Sequence, residues 1–103
     1  MSPRIELNKE MIEGFCRRWS IVEMDLFGSV LRDDFRADSD VDVLVRFAQG
    51  AKYSLFDLVR IQDELSEIVG RNVDLVEREA VERSENYIRR KHILSSLEPL
   101  YVA

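Results

Sequence analysis

Residues 28–42 read GSVLRDDFRADSDVD, and what flanks them decides the fold. Ile21-Val22-Glu23-Met24-Asp25-Leu26-Phe27 lies before, and Val43-Leu44-Val45-Arg46-Phe47 lies after. Both flanks are rich in β-branched and aromatic residues, so both read as strands. The first strand ends at Gly28-Ser29. Backbone N–H groups and a hydroxyl there can meet a phosphate, above all where a helix begins. The second strand opens on Asp40 and Asp42. Side chains at i and i+2 of a strand point the same way, about 6.6 Å apart along it. Two unpaired carboxylates held that close repel each other. A hard divalent cation with oxygen ligands, Mg²⁺ above all, relieves the repulsion where phosphates are near.

The next elements place a third acid. Ser54 is suited to cap a helix from about residue 55 to 69, with an apolar stripe of Leu55, Leu58, Val59, Ile61, Leu65, Ile68 and Val69, and Gly70 is suited to end it. Val73 to Val76 reads as a third strand. A strand, a helix of this length and another strand form a β-α-β unit with parallel strands. Parallel neighbours bring their starts together, so Asp74 is expected beside Asp40 and Asp42.

The remaining segments are read as support. Asn8 is an N-cap candidate, and helical spacing over Leu7 to Trp19 puts Leu7, Met11, Ile12, Phe15, Cys16 and Trp19 on one apolar face. No histidine stands near Cys16 to make it a nucleophile, and a buried cysteine packs as a small hydrophobe. Residues 29–35 are expected to form a short helix whose N-terminus faces whatever anion Ser29 meets. Ser39 is a cap candidate for the turn into the second strand. Ser84 opens a last helix to about Leu97, with Tyr87, Ile88, Leu94 and Leu97 toward the sheet. His92 sits among Arg89, Arg90 and Lys91 on a solvated face. Leu100, Tyr101 and Val102 follow Pro99, and this apolar tail either contacts a partner or tucks back on the core.

Composition narrows the classes. The chain has 103 residues, 46% hydrophobic and 34% charged, enough for one domain with a modest core. Its net charge of −5 argues against a large nucleic-acid surface, which needs a basic stripe. One cysteine cannot make an internal disulfide. No apolar run is long enough to span a bilayer, and no signal-peptide pattern opens the chain. The expectation is a cytoplasmic protein. Self-association through the first or last helix, as a homodimer or in a hetero-oligomer, stays open.

Gly28-Ser29, ten intervening residues and Asp40-Val41-Asp42 resemble the signature of the nucleotidyltransferase superfamily that includes DNA polymerase β. The short length, with Asp38-Ser39-Asp40 and Val73-Asp74-Leu75-Val76, is similar to the minimal nucleotidyltransferase branch, and the resemblance covers nearly the whole chain. It implies an α+β nucleotidyltransferase fold, a small mixed sheet of three to four strands with helices packed on it, as one domain over residues 1–103. It implies that Asp40 and Asp42 bind two Mg²⁺ ions through the triphosphate of ATP. Asp74 would hold the catalytic ion and help activate an acceptor hydroxyl, while Gly28 and Ser29 hold the outer phosphates. Arginines are common in the family at the places of Arg32 and Arg36, which implies phosphate contact or support of the site. Read from the residues alone, the two pair with Asp33, Asp34 or Asp38 on the surface. The connector departs from the family pattern at Asp33, where Gly is frequent, and at Ala37, where Pro is frequent.

Larger members carry a second domain that grips base and acceptor, and this chain is too short to hold one. Minimal members are often encoded as antitoxins beside HEPN-domain RNase toxins. The resemblance therefore implies transfer of AMP from ATP to a toxin tyrosine, which silences the RNase. Two other readings stay open: nucleotidyl transfer to a small molecule or an RNA end, and a non-catalytic protein that blocks the toxin sterically. Three clustered acids with no structural need argue against the last.

Overall fold

The computed structural model describes residues 7–28, 40–95 and 97–103. The first helix, α1 (Lys9–Arg18), starts where the Asn8 side chain accepts the Met11 N–H at 3.1 Å. β1 (Ile21–Phe27) and β2 (Val41–Phe47) pair antiparallel. α2 (Leu55–Val69) opens with a capping box between Ser54 and Asp57 and ends on Gly70 at φ 79. It leads into β3 (Val73–Glu77), which lies parallel to β2. α3 (Arg78–Glu82), α4 (Tyr87–Leu94) and β4 (Glu98–Val102) complete the chain. The four strands form one mixed sheet in the order β3-β2-β1-β4. This is the expected α+β architecture, with the β-α-β unit and its parallel pair in place.

Strand alternation divides the sheet into two faces. Val41, Val43 and Val45 of β2 join Met24 and Leu26 of β1 under α1 and α2, which contribute Ile12, Phe15, Cys16, Ile61 and Leu65. Burial, with a smaller contribution from Glu13, pushes the Cys16 thiol up to about 12, so it stays protonated and serves as core. On the other face Phe27 and Leu44 meet Val81 of α3 and Ile93 of α4 in a smaller cluster. The helices on this second face cover the sheet beyond Asp42. Leu7 and Trp19 pack at the edge of the main core. Met11, Leu55 and Val59 do not join it, and Leu55 is 78% exposed. The apolar stripe of α2 is wider than the sheet beneath it.

The last helix is shorter than expected: it starts at Tyr87 rather than Ser84 and ends at Leu94, and a further helix, α3, precedes Ser84. α3 follows β3 without a loop, and α4 is capped by Asn86, whose Oδ1 accepts the Arg89 N–H at 3.0 Å. Ser84 Oγ accepts the Asn86 N–H and holds the turn between them. Tyr87 and Ile88 point outward, Ile88 at 80% exposure, and Ile93 takes the buried position. His92 is exposed, as expected. The tail does return to the core, as a strand: β4 pairs antiparallel with β1, with Leu100 and Tyr101 against the main cluster. Pro99 reads against a strand, but β4 is an edge strand, where a missing N–H need cost no ladder bond.

β3 is also an edge strand, and α2 satisfies its outer side. Ser66 Oγ accepts the Val73 N–H at 3.1 Å, and Gln62 Oε1 accepts the Leu75 N–H at 3.0 Å. These two bonds flank Asp74 and hold its strand against β2. Replacing Gln62 with Leu orphans the Leu75 amide in a part-buried place and is expected to cost about 1–3 kcal/mol. The check is the urea midpoint together with faster hydrogen exchange at Leu75; an unchanged exchange rate there would count against this role.

Candidate active site

Three strand ends build the site. β1 delivers Gly28, and Phe27 is the register partner of Asp42. On the other side of β2, Asp42 is the register partner of Asp74. Adjacent strands lie about 4.8 Å apart, so the Asp42 and Asp74 backbones are neighbours and their side chains share one face. That face is the one carrying Leu44 and Val76, opposite α1 and α2. Asp40 stands just before β2, whose entry is tied by the Val41 N–H to Asn72 O at 2.9 Å. Asp40 and Asp74 are exposed and Asp42 is half-buried. Ser29, Arg32, Arg36, Ser39 and the expected helix over 29–35 lie outside the described residues.

Gly28 has two reasons to be glycine. Its φ is 73, in the left-handed region that L side chains rarely enter. A Cβ added there would also collide with Oδ2 of Asp42 and come 3.2 Å from its Cγ. The Asp42 carboxylate therefore occupies the space that a side chain at Gly28 would fill.

Among the described residues, no group of three His, Cys, Asp or Glu stands close enough to hold a metal ion. The expected three-acid convergence is thus present as a register pair, Asp42 with Asp74, and the side chains of the three do not close into one ligand set. Asp40 borders the undescribed segment, outside the ladder that fixes the other two. The chemistry of the donors still fits a hard divalent cation, with the carboxylates of Asp42 and Asp74 carried on one face of the sheet.

Sequence reasoning missed a charged cluster further along this face. Glu23 and Asp25 on β1, Arg46 on β2, and Arg78 and Glu82 on α3 form one network. Arg46 Nη2 reaches both carboxylate oxygens of Glu82 at 3.0 Å. Arg78 Nη1 lies 3.1 Å from Glu23 and 3.6 Å from Asp25. Among the described residues, Asp25 is the one charged residue that is buried. Alternation could have found it, since Glu23, Asp25 and Arg46 fall on the same face as Asp42. Burial raises the Asp25 carboxyl above its ordinary range; Arg78 lowers it and Glu23 raises it further. A raised acid contributes stability below its unfolded pKa of about 3.9 and loses it as pH rises through the folded value. Asp25→Asn, which keeps the shape without the charge, is expected to melt at or above the wild-type temperature at pH 7. The difference should vanish near pH 3.5. Thermal denaturation at both pH values checks this, and a variant less stable than wild type at pH 7 would contradict it.

Comparison with known proteins agrees with this geometry. The family profile described as nucleotidyltransferase domain matches residues 8–96. A relative from Methanocaldococcus jannaschii, provisionally named a protein adenylyltransferase, is 41% identical over 68 residues, covering 66% of this chain and 71% of its own length. A solved structure provisionally described as a minimal nucleotidyltransferase superposes with a TM-score of 0.66 at 32% identity, over 88% of this chain and 87% of that one. A complex of a tri-AMPylated Shewanella oneidensis HEPN toxin with its MNT antitoxin contains a chain of the same fold. Its TM-score is 0.61 at 20% identity, over 92% of this chain and 70% of that one. With Gly28, Asp42 and Asp74 brought to one edge of a mixed sheet of this topology, the chain belongs to the nucleotidyltransferase domain family, in its minimal nucleotidyltransferase branch.

Proposed function

We propose that this protein is an antitoxin that transfers AMP from ATP to a hydroxyl, that of a tyrosine, on a HEPN-type RNase toxin. The observation that carries the reading is the register that sets Asp74 beside Asp42, with Gly28 across the strand on the other side. The name of the M. jannaschii relative supports the activity, and the AMPylated toxin held by an MNT antitoxin supports the acceptor.

In this reading Asp40, Asp42 and Asp74 would hold two Mg²⁺ ions, which when bound would supply positive charge to an in-line displacement at phosphorus. The backbone at Gly28 and Ser29, with Arg32 and Arg36, holds the outer phosphates. Asp74, on the outer strand, faces the acceptor and takes the proton from its hydroxyl. The acceptor oxygen forms its bond to the α-phosphorus as the bond to the β-phosphate oxygen breaks, and pyrophosphate leaves on the Gly28 side. Positioning and charge supply the rate gain.

The test is to incubate the protein with α-labelled ATP, Mg²⁺ and the HEPN-type protein encoded beside it. Label on a tyrosine of that protein, with loss of its RNase activity, is the expected result. Label on RNA or a small molecule instead would replace the acceptor. Tight binding of the toxin with no label would overturn the catalytic reading.

A further inference from the structure

We propose that the cleft between α3 and α4 is the pocket for the purine base of the nucleotide; this rests on the function proposed above. The cleft encloses about 190 Å³. Val76, Ala80, Val81 and Ile93 form its walls, and Arg89 and Arg90 stand at its rim. It lies beside the acids rather than across the molecule from them. Val76 follows Asp74 by two residues on β3, so it shares the face of Asp74 at about 6.6 Å along the strand. Val76 is also the register partner of Leu44, which follows Asp42 in the same way.

The direction follows from the displacement. Entering and leaving oxygens stand on opposite sides of the phosphorus. Gly28, Asp42 and Asp74 lie in a row across three adjacent strands. With pyrophosphate leaving on the Gly28 side and the acceptor entering on the Asp74 side, the reaction axis runs across the sheet. The nucleoside must leave the phosphorus off this axis. One way along the strands runs past the start of β2 and β3, off the sheet. The other passes Val76, which lines the cleft.

The lining suits a flat ring with polar edges. Aliphatic side chains on α3, α4 and β3 offer contact to its faces, as in most small-ligand sites. The rim is preset: Arg90 Nη1 donates to Ser84 O at 3.0 Å, and its guanidinium lies 5.5 Å from the centre of the Tyr87 ring. Arg89, one residue before and exposed, can donate to ring nitrogens or stack on the base.

The experiment compares calorimetric binding of ATP and of inorganic tripolyphosphate, each with Mg²⁺, to wild type, Ala80→Trp, Ala80→Leu and Arg89→Ala. Ala80 is exposed on α3, so a larger side chain fills the cleft without entering the core. Wild type is expected to bind ATP at least about tenfold more tightly than tripolyphosphate. Ala80→Trp should erase that preference and leave tripolyphosphate affinity unchanged. Ala80→Leu, which keeps the result readable if the Trp variant does not fold, and Arg89→Ala should each weaken the preference. A folded Ala80→Trp or Ala80→Leu variant with wild-type ATP preference overturns the pocket. So does a wild type that binds the two ligands equally. Failure of AMP transfer with the binding pattern intact overturns the proposed function and leaves the pocket standing. A wild type that binds neither ligand overturns both.

Discussion

Asp42→Asn is expected to abolish AMP transfer, by at least about 10²–10³-fold, while the protein stays folded. The size follows from what a single preorganised electrostatic group contributes to a transition state, and here the lost group is also a metal ligand in the proposed site. Asn has the shape of Asp and fills the same space beside Gly28, so packing changes little. The melting temperature of the isolated chain should therefore stay close to that of wild type. Asp74→Asn should show the same pattern, because its backbone is the direct neighbour of Asp42 in the ladder. The measurement is initial rate of label transfer to the toxin, paired with thermal denaturation and toxin binding. An Asp42→Asn protein that turns over near the wild-type rate would remove Asp42 from the chemistry. Retained toxin inhibition without transfer would mean that contact alone silences the RNase.

Gly28→Ala is expected to cost both stability and activity. The left-handed backbone at φ 73 penalises any Cβ by about 1–2 kcal/mol. The added methyl also meets Oδ2 of Asp42, so the carboxylate must turn away from its place. The sum is expected to be about 1–3 kcal/mol in urea denaturation, with transfer reduced nearly as far as by Asp42→Asn. A double-mutant cycle separates the two causes. In an Asp42→Ala background the steric part disappears, so Gly28→Ala should then cost only the backbone part. Equal costs in both backgrounds would show that the close approach has no energetic weight.

The parts of this protein that were legible in sequence are those set by short-range pattern. The α2 boundaries followed from Ser54 and Gly70, because capping and a left-handed stop are local events. The neighbourhood of Asp42 and Asp74 followed from the β-α-β connection, since a helix crossover forces parallel strands. The inward face of β2 followed from alternation. What was misjudged depended on partners distant in sequence. β4 was read as an apolar tail that either contacts a partner or tucks back on the core, and its strand state comes from pairing with β1. α3 has five residues, too few to hold a helix by itself. It exists because Val81 enters the second cluster and because Arg78 and Glu82 pair with residues of β1 and β2. Leu55 and Val59 looked like core because their helix is amphipathic, but the sheet ends before reaching them.

By itself the sequence determined the first three strands, the glycine that ends β1, the acids at strand starts, and the helix that makes two strands parallel. Tertiary structure alone decided which edge β4 would take, how α3 and α4 roof the second face, and that the Asp42 carboxylate fills the space beside Gly28. The physical reason is range. Capping, alternation and crossover handedness act over a few residues and can be read in order, whereas burial and close approach are settled by whatever the folded chain brings from elsewhere.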